Sequence, residues 1–274
     1  MITLTICNHK GGTGKTTSSI NLSAALALSG RSVLVIDLDP QGFLTRMMGQ
    51  PEPAPENSSL VLFQEELSHS PPVVHLPTFD LIPSSPALSS AMRKLNKPTD
   101  ILWAREYLQS MNEKYDIVVL DTAAAVTVYS LNALVAADVV VIPILPEYQP
   151  VVGGEQTYQT VKMVQKKLNP GLKGVKMLLT MVDGRKKNHF AYRHYLREKY
   201  NEDVLSGIIR TCTTLSVSNQ EGYSVYDVNP QARGAIDYAN AAEEISGVFE
   251  EPPAPPIPEP ASLASFLEPS ADQN

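Results

Sequence analysis

This chain of 274 residues has little that would suit a membrane, a secretory route or a disulfide scaffold. Cys7 and Cys212 are its only cysteines. Two thiols form neither a disulfide framework nor a zinc site, and Cys7, inside an apolar run, reads as a small core residue. No stretch reaches the roughly 18 consecutive apolar residues of a transmembrane helix. The N-terminus lacks the basic-then-apolar pattern of a signal peptide. A cytoplasmic protein is the expectation. An excess of positive charge is missing too: the formal net charge is −7, which argues against constitutive nucleic-acid binding. The negative charge is uneven, however. Residues 250–274 carry Glu250, Glu251, Glu259, Glu268 and Asp272 and no Lys or Arg, so the rest of the chain is close to neutral and has room for a local basic face. Hydrophobic residues make up 43% of the chain, enough for a proper core, and the length suits one large α/β domain or two small ones.

The clearest boundary lies in that acidic segment. Pro252, Pro253, Pro255, Pro256, Pro258 and Pro260 crowd together there. Such a run forms neither helix nor ladder, so 250–274 is expected to be a disordered tail on a domain spanning 1–249. Within the tail, Leu263, Phe266 and Leu267 read either as a docking motif or as an incidental apolar scrap.

The domain itself alternates. Residues 2–7, 33–36, 80–83, 116–120, 139–144, 176–182 and 204–209 read as strands, most of them continuous apolar runs suited to burial on both faces. Helical patterns lie between them. Residues 18–28 have Leu22 and Leu26 four apart and a stop at Gly30, and Thr157, Val161, Val164 and Leu168 share one helical face. The alternation predicts an α/β fold: a doubly wound, mostly parallel sheet with helices on both faces and a site at the carboxyl ends of the strands. Residues 50–59, with Pro51, Pro53 and Pro55, are expected to be a surface loop.

The first strand runs into Lys10-Gly11-Gly12-Thr13-Gly14-Lys15-Thr16-Thr17 and then into the first helix. Strand, glycine loop and helix is the context in which a phosphate loop has a mechanism. Glycines let backbone N–H groups point into the loop, and the helix N-terminus favours an anion there. Lys15 would reach the terminal phosphates and the Thr16 hydroxyl would ligate Mg²⁺. The second strand ends in Asp37-Leu38-Asp39-Pro40-Gln41-Gly42. Two carboxylates at i, i+2 fit a nucleotide site, one organising Mg²⁺ and the other orienting the attacking water, although the same residues also make a good turn. Another strand, 116–120, runs into Asp121-Thr122, a Walker B pattern with Asp121 placed for Mg²⁺.

The general phosphate-loop pattern wants Gly where this chain has His9, and this chain has instead a second lysine, Lys10, at the loop entrance. Lys-Gly-Gly-x-Gly-Lys-Thr resembles the deviant Walker A signature of ParA/MinD-type ATPases. Together with Asp37–Gly42 and Asp121-Thr122 it resembles the ParA/Soj partition ATPases in particular. Leu131–Asp138, Ile142-Pro143, Pro146-Glu147-Tyr148, Leu178–Arg185 and Ala232–Ala235 resemble later segments of that family, so the likeness runs from residue 1 to about 248.

The resemblance implies roles. Lys10 corresponds to the signature lysine that contacts phosphate across a dimer sandwiching two ATP molecules. Lys10 through Thr17 would bind the nucleotide, with Lys10, Lys15 and Asp39 serving hydrolysis and Thr16, Asp37 and Asp121 serving Mg²⁺. The family cycles through an ATP-bound homodimer that binds DNA without sequence preference, until a ParB-like adaptor on the cargo stimulates hydrolysis. That implies ATP and Mg²⁺ as cofactors and association with the nucleoid in the ATP state, without a membrane. With its first strand starting at Ile2, the chain fits the small form that lacks an N-terminal helix-turn-helix domain.

Two departures from the family stand out. Ala123-Ala124-Ala125 replaces Pro-Pro-Ser after the Walker B strand, which should loosen the switch that senses the γ-phosphate. Of two arginines associated with DNA contact after the last strand, only Arg210 remains. A replacement basic face is expected at 185–199, where Lys186, His189, Arg193 and Arg197 share one side of a helix and Tyr192, Tyr195 and Leu196 turn inward. The candidate DNA contacts are thus Lys186, Arg193, Arg197 and Arg210. Rival readings are an ATP-sensing protein scaffold with weak hydrolysis, a MinD-like membrane-cycling ATPase, which would want a basic amphipathic C-terminus, and an iron-protein-like reductase, for which neither cysteine is suitably placed.

Overall fold

The computed structural model describes residues 1–64, 73–111 and 114–249. Among these residues eight strands form one sheet: β1 (Ile2–Ile6), β2 (Val33–Asp37), β3 (Val74–His75), β4 (Asp80–Ile82), β5 (Ile117–Asp121), β6 (Val139–Ile144), β7 (Gly174–Val182) and β8 (Val204–Arg210). Their order is β3-β4-β2-β5-β1-β6-β7-β8, parallel throughout except for the antiparallel pair β3–β4. The α helices are α1 (Lys15–Leu28), α2 (Phe43–Met47), α3 (Ala87–Ala91), α4 (Trp103–Ser110), α5 (Val128–Ala136), α6 (Tyr148–Lys167), α7 (Lys187–Tyr200), α8 (Thr213–Glu221), α9 (Val225–Val228) and α10 (Arg233–Phe249).

The unbroken apolar strands explain the layering. In β5, Ile117 and Val119 join a core with α1 and α10, whereas Val118 and Leu120 join one with α4 and α5. In β6, Val139 and Val141 face the first side, and Val140, Ile142 and Ile144 pack with α6 and α7 on the second. Side chains alternate across a strand, so a continuous apolar run feeds both layers. The sheet is doubly wound, as the alternation predicts.

Two local readings change. The first helix starts at Lys15, three residues earlier than expected, because Gly14 takes a left-handed conformation (φ 85°) and serves as its N-cap. The surface loop expected at 50–59 contains a 3-10 turn at Pro55–Asn57, and its end is buried: Ser59 donates to the Asp37 carbonyl at 2.6 Å. The short strand β3 had no counterpart in the expectations. Residues 250–274, with the tail and its Leu263, Phe266 and Leu267, lie outside the described residues.

Register builds the site. Ile6 on β1 and Asp37 on β2 both pair with Asp121 on β5. Three central strands therefore end level, and the loops that leave them meet at one edge, where ligands of open parallel sheets bind.

Candidate functional site

The loop from β1 to α1 is held from below. Buried Asn8 donates to the Pro143 carbonyl at 2.8 Å and accepts from the Lys10 amide at 2.9 Å. The His9 amide donates to Thr157 of α6 at 3.1 Å, and Thr180 of β7 donates to the Thr13 carbonyl at 2.8 Å. Gly12 (φ 72°) and Gly14 take left-handed backbone conformations that L side chains rarely adopt. Among the described residues, no backbone carbonyl pairs with the amides of Gly11, Gly12, Gly14, Lys15 and Thr16. Such a ring of free donors at a helix N-terminus is an anion cradle. Lys15 is only 8% exposed, and its ammonium donates to the Lys10 carbonyl at 3.0 Å. Burial lowers its pKa, opposed by the charges of Asp121, Cys7 and Asp39.

The carboxylates divide the work. Asp121 accepts from Thr16 at 3.1 Å and from Ser19 at 2.6 Å. Asp37 sits beside it in register, but its oxygens accept from the Asp39 amide at 3.1 Å and from the amide and hydroxyl of Thr45 at 3.0 and 2.7 Å. Both acids are fully buried. Burial pushes both carboxyls above their usual range, and the charge of Asp37 adds to the rise at Asp121. Of the three expected metal ligands, Thr16 and Asp121 are brought into contact. Asp37 instead ties down the turn that carries Asp39, with Ser84 donating to the Asp39 carbonyl at 2.6 Å. Asp39 is partly exposed and caps its own turn by accepting from the Gln41 amide at 2.9 Å.

Mg²⁺ needs few protein ligands when phosphates supply the rest. Accordingly, no group of three or more His, Cys, Asp or Glu gathers among the described residues. A hydroxyl and a buried carboxylate beside an anion cradle fit Mg²⁺ with a nucleotide. Next to the cradle, a cleft of about 490 Å³ is lined by Gly14, Thr17, Thr180, Met181, Cys212 and Tyr238, among others. Gly14 and Thr17 of this wall were expected at the nucleotide; sequence reasoning missed the rest of it, as well as Ser19, Thr45 and Ser84. Only Ser19 had a signal, since it lies one helical turn after Thr16.

The AAA-domain family matches residues 1–174. The chain is 32% identical over 247 residues to the sporulation initiation inhibitor protein Soj of Bacillus subtilis, covering 89% of this chain and 97% of that protein. It is 35% identical over 250 residues to the chromosome-partitioning ATPase Soj of Thermus thermophilus, covering 90% and 96%. The chain belongs to the ParA/Soj family of P-loop ATPases. Among solved structures, cobyrinic acid a,c-diamide synthase of Mycobacterium smegmatis with bound ADP and magnesium matches with a TM-score of 0.79 and 27% identity, over 93% of this chain and 100% of that one. The MinD structure from Pyrococcus horikoshii, with a TM-score of 0.72 and 21% identity over 91% and 97%, shares the fold.

The basic face expected at 185–199 is only partly formed. The segment forms α7, but His189 is 1% exposed and seats inward with Leu196, while Tyr195 is exposed. The His189 ring is tolerated there because Nδ1 accepts from the Asp183 amide at 3.2 Å, which leaves Nε2 toward Glu147 at 3.6 Å. Arg193 lies partly buried and donates to the Ser206 carbonyl at 2.9 Å. Lys186 pairs with Glu147 at 2.8 Å, and Arg210 makes a two-pronged pair with Asp237. Of the four expected DNA contacts, Arg197 alone is exposed without a side-chain partner among the described residues. Ala123 is partly buried, Ala124 and Ala125 are exposed, and Ser130 ties the segment down by donating to the Ala125 carbonyl at 3.1 Å. No helix among the described residues is long and apolar enough to cross a membrane.

Proposed function

We propose that this chain is a nucleotide-switched ATPase that binds MgATP, pairs with a second copy in that state, engages DNA without sequence preference and positions a DNA cargo with a ParB-like adaptor. The observation that carries the reading is the anion cradle of Gly11–Thr16 closed by Lys15 and by the Thr16–Asp121 contact. In this reading residues 1–249 form the ATPase domain and 250–274 a tail. Thr16 and Asp121 hold Mg²⁺, which supplies charge neutralisation on the phosphates. Lys15 binds the phosphates from within and Lys10 those of the partner. Asp39 orients the attacking water; the reading is supported by a turn held by Asp37, Thr45 and Ser84 and by a carboxylate that remains partly exposed.

Lys15→Ala should abolish ATP binding, and Asp39→Ala should keep binding and lose turnover, since holding the phosphates is separable from orienting water. Titration with a fluorescent ATP analogue and a phosphate-release assay check both. Near-normal affinity in Lys15→Ala overturns the nucleotide reading. A second reading, an ATP-responsive scaffold with little DNA binding, is favoured by the internal pairing of Lys186, Arg193 and Arg210. Fluorescence anisotropy of labelled duplex DNA, with and without ATP, separates the two.

A further inference from the structure

Two adjacent glycines, Gly153 and Gly154, sit in the second turn of α6, where glycine is a poorer helix former than alanine. A local rule broken inside a long helix asks for a compensating reason. For Gly154 the reason is the sheet, since a Cβ there would meet Ile144 of β6 at 2.5 Å. For Gly153 the three nearest atoms to such a Cβ all belong to one side chain, the stem of Lys10: Cγ lies nearest, deep inside van der Waals contact, with Cε at 3.2 Å and Cδ at 3.3 Å. The lysine stem therefore lies lengthwise in the gap that the missing methyl leaves. The contact is too near the root of the side chain to be relieved by bending its tip. One turn further along α6, Thr157 donates to the Gly153 carbonyl at 2.8 Å and accepts from the His9 amide. The same helix turn thus fixes both the backbone before Lys10 and the direction of its stem.

We propose that Gly153 is a positioning residue for Lys10, a bed on α6 that pre-sets the path of the lysine stem toward the phosphates of a second subunit. This rests on the reading of Lys10 as a lysine that acts across a dimer. The physical content is preorganisation. A free lysine must give up rotamer freedom when its ammonium docks, and a stem already laid along a helix gives up less. The Lys15 ammonium is held separately, at the Lys10 carbonyl.

The test is a double-mutant cycle on the full chain. Gly153→Ala improves helix propensity, so it should fold and melt no lower than wild type. Its affinity for a fluorescent ATP analogue should stay within about twofold, because Lys15 and the loop amides are untouched. Association of two subunits with a non-hydrolysable analogue, read by analytical ultracentrifugation, should weaken roughly tenfold, since two stems per dimer lose their bed. In a Lys10→Ala background the same glycine change should have no further effect. Gly154→Ala is the control: it should lower the melting temperature through Ile144 and show no such coupling to Lys10. Wild-type association in Gly153→Ala overturns the proposal, as does a defect that persists undiminished in the Lys10→Ala background. Association of Lys10→Ala equal to wild type is a different failure, that of the dimer reading itself.

Discussion

The two cysteines show how far one residue's surroundings set its chemistry. Cys7 is buried at the end of β1, and burial pushes its thiol up to about 12. A thiol in that state is inert, because the thiolate is the nucleophile. Cys212 is partly exposed at the N-cap of α8 and lines the cleft beside the phosphate loop. Partial burial raises its pKa, but hydrogen bonds from the Gly234, Leu215 and Thr214 neighbourhood outweigh that and bring it below the usual thiol value. Iodoacetamide under native conditions should therefore modify Cys212 and spare Cys7, with both modified after unfolding, as peptide mass spectrometry reads directly. If the cleft holds part of the nucleotide, saturating ATP analogue should slow the alkylation of Cys212. An unchanged rate would place the nucleotide elsewhere than against this wall.

At the scale of elements, α6 and α7 are clamped by one carboxylate. A single oxygen of Glu155 accepts from Lys199 at 2.8 Å, Tyr195 at 2.9 Å and Tyr200 at 3.0 Å. Partial burial raises the Glu155 pKa, but the bond from Lys199 and those from the two tyrosines more than offset it, so the net shift is downward. A depressed carboxylate pKa contributes stability that is present above the unfolded value of about 4.3 and is lost as pH falls through the folded value. Glu155→Gln should destabilise the protein at neutral pH by about 1–2 kcal/mol, the ion pair being discounted for the exposure of Lys199. That corresponds to a melting temperature lower by about 3–6 °C, with the difference shrinking below about pH 4. Calorimetry at the two pH values checks it, and equal melting at pH 7 would mean the clamp contributes nothing.

Elements also divide what the sequence discloses from what it hides. Seven strands were legible because runs such as Ile117 to Leu120 of β5, apolar at every position, have no competing reading in a strand–helix alternation. The two-residue strand β3 was too short to carry a period. The start of α1 was hidden because Lys15, Thr16 and Thr17 are polar residues aimed at a ligand site rather than at a core. The face of α7 was misjudged because charge was counted without knowing which backbone groups lay opposite. The Asp183 amide and the Ser206 carbonyl, outside the helix itself, are what admit His189 and Arg193 to the inward side. The phosphate loop was legible for the opposite reason: its chemistry is local, with glycines, lysines and hydroxyls in one unbroken run from Lys10 to Thr17.

For the whole molecule, the question is how a chain of net charge −7 would hold a polyanion. Nucleic-acid affinity comes chiefly from counterions released as phosphates are neutralised, each contact adding about 0.9 to the slope of log K against log salt. Cations already paired within the protein release fewer counterions, because their charge is partly neutralised before DNA arrives. Lys186 and Arg210 are in that position; Arg193 keeps its charge but is partly buried and turned to the neutral Ser206 carbonyl, and Arg197 is exposed with no side-chain partner among the described residues. A single subunit then has few contacts to offer, and pairing of two subunits doubles them, which would make binding depend on ATP. Arg197→Ala should weaken binding of the ATP form to all duplex sequences alike and lower the salt slope by about 1.8 if both subunits contribute. Arg193→Ala should act differently. It removes a bond to β8 and leaves the Ser206 carbonyl without that donor, so it should lower stability by about 1 kcal/mol with little change in slope. Anisotropy titrations on labelled duplex DNA across a salt series, with melting curves on the same samples, separate the two effects. If Arg197→Ala leaves both affinity and slope unchanged while the wild type binds, α7 is not the contact surface, and the exposed Lys166 and Lys167 at the end of α6 become the residues to change next. If the wild type does not bind DNA in its ATP form, the internal pairing of the cations was the better guide, and the scaffold reading takes its place.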